Sequence, residues 1–223
     1  LPLPGMIRVP AGLLSIADHL DKRGAGVAVY DMRLYSATAN RWLLPSLIQE
    51  SRFVGVSVMT RQVPMFLTFV DRFGGFGDLL EGKLVVGGIH AALFPEQFDG
   101  RGCVVCGGAG EDFMASLAGV HAGRAFDLAL AGARRWDLVE TGLYARMGHT
   151  IHTELSGPGH LAVETSRGCN GRCAFCVNTV LPWGHPWRPR PVGDVLEDCA
   201  RLSGGAGVSR WTMDDECFFG DMD

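Results

Sequence analysis

Three cysteines, Cys169, Cys173 and Cys176, fall within eight residues of the stretch "VETSRGCNGRCAFC", residues 163–176. Thiolates this close, spaced Cys-x3-Cys-x2-Cys, suit a soft metal centre: zinc or an iron–sulfur cluster. Structural zinc takes four ligands in a tetrahedron, commonly as two paired knuckles. A second Cys-x2-Cys exists at Cys103 and Cys106, but in a strand-like run a spacing of three sends the two side chains to opposite faces. Cys199 falls in a helical pattern and Cys217 beyond the last strand-like run; both read as buried cysteines that act as small hydrophobes. His185 or His160 would complete a Cys3His zinc site. Three thiolates on one loop can instead hold three irons of a [4Fe–4S] cube and leave the fourth iron open to a substrate. The spacing favours the cluster, with zinc as the alternative.

A loop of this kind must be positioned by a scaffold, and the chain supplies an alternating one. It has 223 residues, about 47% of them hydrophobic, and a net charge of −4. No Lys/Arg stripe interleaves with aromatics, which argues against a nucleic-acid surface. Apolar runs such as "FVGVSVM" and "KLVVGGI" are strand-length, well short of the roughly 20 residues that span a bilayer. Seven cysteines, odd in number and unevenly spread, without a secretory signal, point to metal or redox use and to the cytoplasm. "PAGLLSIADHLDKRG" predicts a helix ending at a glycine, "GVAVYD" and "RFVGVSVMT" predict strands, and "RQVPMFLTFVDRFG" predicts a helix with proline in its first turn. "KLVVGGIHA" and "CVVCGGAGED" follow as strands and "EDFMASLAGVHAG" as a helix. Buried strands alternating with helices imply a parallel sheet covered on both faces. Such sheets bind ligands beyond the carboxyl ends of their strands. Three loops meet that description: Ser57 to Thr60, Gly87-Gly88-Ile89-His90, and Gly107-Gly108-Ala109-Gly110. From "HLAVETS" a second alternation begins, with the cysteine loop, "GDVLEDCARLSGG" as helix and "VSRWTMDDE" as strand. The expected organisation is a first domain over 1–119, a connector over 120–159, and the start of a second domain over 160–223. Leu rather than Met at position 1, and an end soon after the last strand, lead us to expect a piece of a longer polypeptide.

"SRGCNGRCAFC" resembles the cluster loop of radical S-adenosylmethionine enzymes, with Phe175 at the aromatic place before the last cysteine. The resemblance implies an α/β architecture in two parts. The second part would be the first units of a partial (βα)6 barrel, whose first strand is "HLAVETS". In that reading the open iron chelates S-adenosylmethionine, Phe175 lies near its adenine, and Asp214 and Asp215 of "MDDE" approach its amino group; otherwise the two acids are a solvated strand end. The first part resembles the Rossmann-like B12-binding domain that precedes the barrel in one branch of the superfamily. Ser57-Val58-Met59, with Met where Leu is usual, precedes Gly87-Gly88 with residues 60–86 between them. The implied cobalamin contacts are Ser57, Met59, Thr60, Gly87, Gly88, His90, Gly107, Gly108 and Gly110. His90 is placed at the corrin edge, or else is an exposed loop histidine without a role. One departure stands out. Where many cobalamin domains carry Asp-x-His-x-x-Gly, this chain has "VPAGLL" or "PAGLLS", with Ala11 or Gly12 at the histidine position. That motif therefore supplies no lower axial ligand.

The implied cofactors are a [4Fe–4S] cluster, S-adenosylmethionine and cobalamin. The implied chemistry is reductive cleavage of S-adenosylmethionine to a 5′-deoxyadenosyl radical, hydrogen abstraction, and methyl delivery from cobalamin to an unactivated carbon of a small molecule. A reductant such as flavodoxin or ferredoxin would supply the electron. Oxidation, cyclisation or rearrangement without methyl transfer is the competing enzymatic reading, and a non-catalytic zinc or cluster module the competing reading of another class. In "PWGHPWRPRP", residues 182–191, Trp183, Trp187, Arg188 and Arg190 either line the substrate or cofactor face or pack the barrel's outer wall, and packing is the expectation.

Overall fold

Three parallel strands carry the first of the two loop regions singled out in the sequence. The structure, a computed structural model, describes residues 8–74, 79–120, 123, 125–147 and 157–220. Its contacts divide the chain into two units: residues 35–113, and residues 1–34 with 114–223.

In the 35–113 unit the strands are β1 (Val54–Ser57), β2 (Leu84–Gly87) and β3 (Val104–Val105), in the order β1-β2-β3. Val54 pairs with Leu84 and Ser57 with Gly87, while Val85 pairs with Val104. The central strand is the most buried, as expected for a strand with neighbours on both sides: Leu84, Val85 and Val86 are all in the core. Between β1 and β2 runs α3 (Val63–Gly74), with Pro64 in its first turn, where a missing N–H costs nothing. Its Phe66 is buried and meets Phe98 edge to face at 5.4 Å. Helix α4 (Ile89–Leu93) starts in the Gly-Gly loop. A further helix, α2 (Ala37–Glu50), is capped by the Ser36 hydroxyl, which accepts from the Ala39 amide at 3.1 Å. The sequence reading missed α2 because Pro45 sits inside it and argues against a helix there. Conversely, "GVAVYD" forms no ladder among the described residues. Its apolar residues serve the other unit instead, where Val29 packs against the core.

In that other unit, α1 (Ala11–Asp21) presents Leu14, Ala17 and Leu20 to the interior. Helix α5 (Gly110–Ala118) begins in the 35–113 unit and ends in this one, and is followed by α6 (Thr141–Met147), then β4 (His160–Val163), β5 (Ser166–Arg167), β6 (Arg188–Pro189), α7 (Val192–Gly205) and β7 (Arg210–Met213). β4 and β7 pair in parallel, His160 with Arg210 through Val163 with Met213. β5 and β6 pair antiparallel. One core cluster joins Leu14 of α1, Trp136, Val139 and Tyr144 of the stretch before β4, Leu161 and Val163 of β4, and Leu202 of α7. Residues 126–147 thus contribute to the core of this unit in addition to connecting it. No helix among the described residues is long and apolar enough to cross a membrane.

A buried ionic network runs through the same unit. Asp198 of α7 is fully buried; it accepts from the Arg134 amide at 2.8 Å and from Arg190 Nη2 at 2.7 Å. Arg190 also donates to the Glu164 and Gly132 carbonyls. Arg134 Nη2 donates to Glu164 Oε2 at 2.8 Å, and Asp18 of α1 accepts from the Arg135 amide and from Lys22. Burial pulls the Arg134 guanidinium below its ordinary pKa, against the opposing pull of Glu164. Removing one partner from such a network leaves the other charge buried and unpaired. Asp198→Ala is therefore expected to lose about 3–5 kcal/mol of stability, read as a lower urea midpoint at unchanged slope.

Candidate functional site

The three loops read from the sequence as a ligand edge do meet at the carboxyl end of β1-β2-β3. The Val58 amide donates to the Gly87 carbonyl at 2.8 Å and the His90 amide to the Val58 carbonyl at 3.2 Å, lacing the first loop to the second. The third joins through the Cys106 amide, which donates to the Val86 carbonyl at 2.7 Å. Gly88 sits at φ +93°, and a Cβ there would lie 2.9 Å from Ser57 Oγ, Val58 N and Val58 O. Only glycine fits this crossing, for both conformation and space. Gly107 and Gly108 are the opposite case: a Cβ on either would meet nothing within 4 Å. They line open space. Met59 is exposed, its amide donating to Gln62 Oε1, and Gly110 opens α5.

His90 is not the exposed loop histidine of the sequence reading, because the chain turns straight into α4 and buries it. The ring lies against Phe94 and edge to face with Phe98. Nε2 faces Gln97 Oε1 at 3.2 Å and Nδ1 faces Thr60 Oγ1 at 3.1 Å. A neutral ring that donates from Nε2 to Gln97 Oε1 accepts the Thr60 hydroxyl proton at Nδ1. The Thr60 oxygen is left with acceptor capacity towards the loops. Cys103 and Cys106 are packing residues: burial raises both thiols above their ordinary pKa, and each thiol donates to a carbonyl, of Phe98 and Gly108 respectively.

The cysteine loop leaves β4 through a turn gripped by acidic side chains. The Asp215 carboxylate accepts from the Thr165 amide at 2.7 Å, the Ser166 amide at 3.0 Å and the Thr165 hydroxyl. Glu164 takes Arg167 Nε at 2.6 Å along with Arg134, and Glu216 accepts from the Gly168 amide at 3.2 Å. Asp214 extends the β7–β4 pairing, its amide donating to the Val163 carbonyl, and its exposed carboxylate pairs with Arg8 at 2.7 Å. Of the two acids singled out from the sequence, Asp215 holds the turn and Asp214 faces a cation. Glu216 was not singled out, although "MDDE" contains it; nothing in the sequence shows its bond to a backbone amide.

The loop's far side is held by "GHPW". The Cys169 amide donates to the Gly184 carbonyl at 2.9 Å, and Asn170 bridges the Trp187 amide and the Gly220 carbonyl. Trp187 Nε1 donates to the Cys217 carbonyl at 2.8 Å. The Pro- and Trp-rich segment thus braces the loop itself. Within the loop, the Gly171 amide donates to Cys169 Sγ at 3.2 Å, and a Cβ on Gly171 would lie 3.3 Å from Cys169 Sγ and 3.9 Å from Cys173 Sγ. Cys173 is exposed, Cys169 and Cys176 half-buried. Among the described residues, no three His, Cys, Asp or Glu side chains are already gathered as a metal cage. Phe175 is 93% exposed. His160, one of the candidate fourth zinc ligands, starts β4, away from the loop, and its Nε2 lies 2.7 Å from Thr212 Oγ1. Cys217, read from the sequence as an isolated small hydrophobe, is half-buried, and its carbonyl accepts from the Ser166 hydroxyl and from Trp187 Nε1; burial raises its thiol above the ordinary pKa.

Against known proteins, the whole-chain likeness is structural. A structure of the cobalamin-dependent S-adenosylmethionine radical enzyme OxsB, with aqua-cobalamin bound, superposes with a TM-score of 0.74 over 98% of this chain, at 20% identity. A second OxsB structure, with aqua-cobalamin and S-adenosylmethionine bound, gives 0.71 over 97%, at 21% identity. The chain has the fold of cobalamin-dependent radical S-adenosylmethionine enzymes. The radical S-adenosylmethionine methyltransferase TsrM from Kitasatospora setae, with cobalamin and a [4Fe–4S] cluster bound, gives a TM-score of 0.61 over 94%, at 17% identity. The chain spans about a third of OxsB and 45% of TsrM. In sequence, 59 residues (26% of this chain) are 39% identical to the cytidylyl-2-hydroxyethylphosphonate methyltransferase of Streptomyces wedmorensis, covering 11% of that protein. No protein-family model matches. The likeness read from the two motifs is borne out at the level of the fold.

The crossing at Gly88 gives a direct test of the loop geometry. Gly88→Ala places a methyl group against backbone at a left-handed φ, and is expected to lose about 2 kcal/mol or more, measured by urea denaturation.

Proposed function

We propose that this chain is the cobalamin- and cluster-bearing part of a radical S-adenosylmethionine enzyme that methylates an unactivated carbon of a small molecule. The observation that carries the reading is the cysteine loop: three thiols of Cys-x3-Cys-x2-Cys spacing at the carboxyl end of a parallel strand, its root fixed by Asp215 and its flank by the Gly184 carbonyl. The donor set fits a [4Fe–4S] cluster. Cys169, Cys173 and Cys176 supply soft thiolates, and Gly171 leaves the space between two of them free while its amide bonds a sulfur. Bound together, the cluster, S-adenosylmethionine and cobalamin supply radical generation and methyl delivery, chemistry that side chains lack.

The chain's own residues bind and orient. Phe175, left uncovered beside the last cysteine, offers a face for a flat heterocycle such as adenine. Asp214 offers a carboxylate to an ammonium group in place of Arg8, and Asp215 acts one step back by holding the Thr165–Ser166 turn. In the 35–113 unit, Ser57, Met59, Thr60, Gly87, Gly88, Gly107, Gly108 and Gly110 form the edge for the corrin, with His90 setting the Thr60 hydroxyl. The region from 160 onward is the start of the barrel in this reading, and a small electron-transfer protein of the flavodoxin or ferredoxin kind is the reductant. Methyl transfer, as against oxidation or cyclisation, is supported by TsrM and the Streptomyces relative, both of them methyltransferases.

Two measurements test this on the full chain. Anaerobic reconstitution with iron and sulfide is expected to load about four irons per chain, and Cys169→Ser, Cys173→Ser or Cys176→Ser each to lose most of them; one tightly held zinc instead would contradict the cluster. Gly108→Leu fills open space, so it is expected to leave the urea midpoint unchanged while weakening hydroxocobalamin binding about tenfold or more. Unchanged binding would remove the corrin from this edge.

A further inference from the structure

Every residue from 170 to 175 is exposed, so no buried side chain fixes the stretch of the cysteine loop that follows Cys169. Among the described residues, two hydrogen bonds tie this stretch to the rest of its unit, and both belong to the Asn170 side chain. Its Oδ1 accepts from the Trp187 amide at 3.0 Å, and its Nδ2 donates to the Gly220 carbonyl at 2.8 Å. A backbone N–H only donates and a carbonyl only accepts, so these partners settle which way the Asn170 amide points. The two anchors are themselves joined. Trp187 Nε1 donates to the Cys217 carbonyl at 2.8 Å, and the Ser166 hydroxyl donates to the same oxygen at 3.1 Å. A Cβ on Gly220 would overlap the Trp187 indole, so only glycine lets the chain lie this close.

We infer that Asn170 is a positioning residue of the metal centre: by binding the Trp187 amide and the Gly220 carbonyl together, it fixes the backbone beside Cys169 and with it the first thiolate. Cys169 is held on its other side by its own amide, which donates to the Gly184 carbonyl at 2.9 Å, and its sulfur accepts from the Gly171 amide at 3.2 Å. Asn170 lies between those two contacts and keeps them in register. It reaches the metal only through Cys169. Groups one step behind a metal ligand orient that ligand and tune the metal, and their loss costs about 10–100-fold in metal affinity. The sequence hides this role, because the partners of Asn170 lie 17 and 50 positions away. The inference rests on the cluster reading of the three thiols and adds to it the residue that presents the first of them.

The test compares the full chain with Asn170→Ala after anaerobic reconstitution with iron and sulfide. Asn170 is exposed, so the variant is expected to fold. It is expected to lose iron to an external chelator about tenfold faster or more. Its dithionite-reduced cluster is expected to show shifted g-values in electron paramagnetic resonance. Equal rates and equal g-values, with the unsubstituted chain holding its cluster, would overturn the inference and leave the cluster reading standing. Faster loss with unchanged g-values would overturn it too, since a general brace loosens the loop without turning a ligand. If the unsubstituted chain takes up no cluster, the proposed function falls, and the metal-free chain decides the role of Asn170. There Asn170→Ala is expected to speed alkylation of Cys169 by N-ethylmaleimide about fivefold, the worth of roughly one hydrogen bond. Cleavage after Arg167 and Arg172 isolates Cys169 on tryptic peptide 168–172 for that reading. An unchanged rate would show that Asn170 does not hold Cys169.

Discussion

Everything proposed for the cysteine loop depends on the turn that leaves β4. A loop carrying three thiols has no hydrophobic face of its own, so its position must come from its ends. Asp215 supplies one fixed point by accepting both amides of Thr165 and Ser166, bonds of the charge-assisted kind. Glu164 supplies the next, held by Arg134 and Arg167. Arg134 is anchored in turn, through its amide, by Asp198 of α7, with Asp18 of α1 holding the neighbouring Arg135 amide. Removing these groups from water is costly, and a buried ion pair is weak evidence of net stability. What it does provide here is a fixed geometry, since each charge has a small number of allowed partners. The cysteine loop inherits its position from that network.

The glycine-rich edge of the 35–113 unit solves a different problem. A flat ligand needs backbone that can be approached closely and a few polar atoms of defined polarity. Gly107 and Gly108 provide the first, with nothing within 4 Å of where a side chain would start. Thr60 provides the second, its hydroxyl held 3.1 Å from His90 Nδ1. Gly88 serves neither purpose. It is glycine because Ser57 and Val58 occupy the space of a side chain, so glycines on different loops of one edge answer to different constraints.

Much of this was legible in the sequence because it is periodic or local. Helices α1, α3 and α7 and strands β1, β2, β4 and β7 follow from apolar spacing, and the cysteine motif carries its own chemistry in eight residues. What was not legible is long-range or contrary to local preference. Helix α2 was hidden by Pro45, whose local effect opposes the helix that its neighbours and the Ser36 cap sustain. "GVAVYD" has strand composition but no ladder partner among the described residues, and its burial comes from packing instead. The burial of His90 depends on Phe94, Gln97 and Phe98 folding over it. Cys217 looked isolated because the residues its carbonyl meets, Ser166 and Trp187, lie across the chain. For "GVAVYD" and Cys217 the deciding contact is one that no short window contains.

The central claim is that the three thiols hold a cluster with an iron open to S-adenosylmethionine. Electron paramagnetic resonance on anaerobically reconstituted, dithionite-reduced full chain, with and without S-adenosylmethionine, addresses it most directly. The account predicts a [4Fe–4S]+ signal whose shape changes when S-adenosylmethionine is added. A signal indifferent to S-adenosylmethionine would contradict the open iron, and no cluster signal with stoichiometric zinc would contradict the cluster itself.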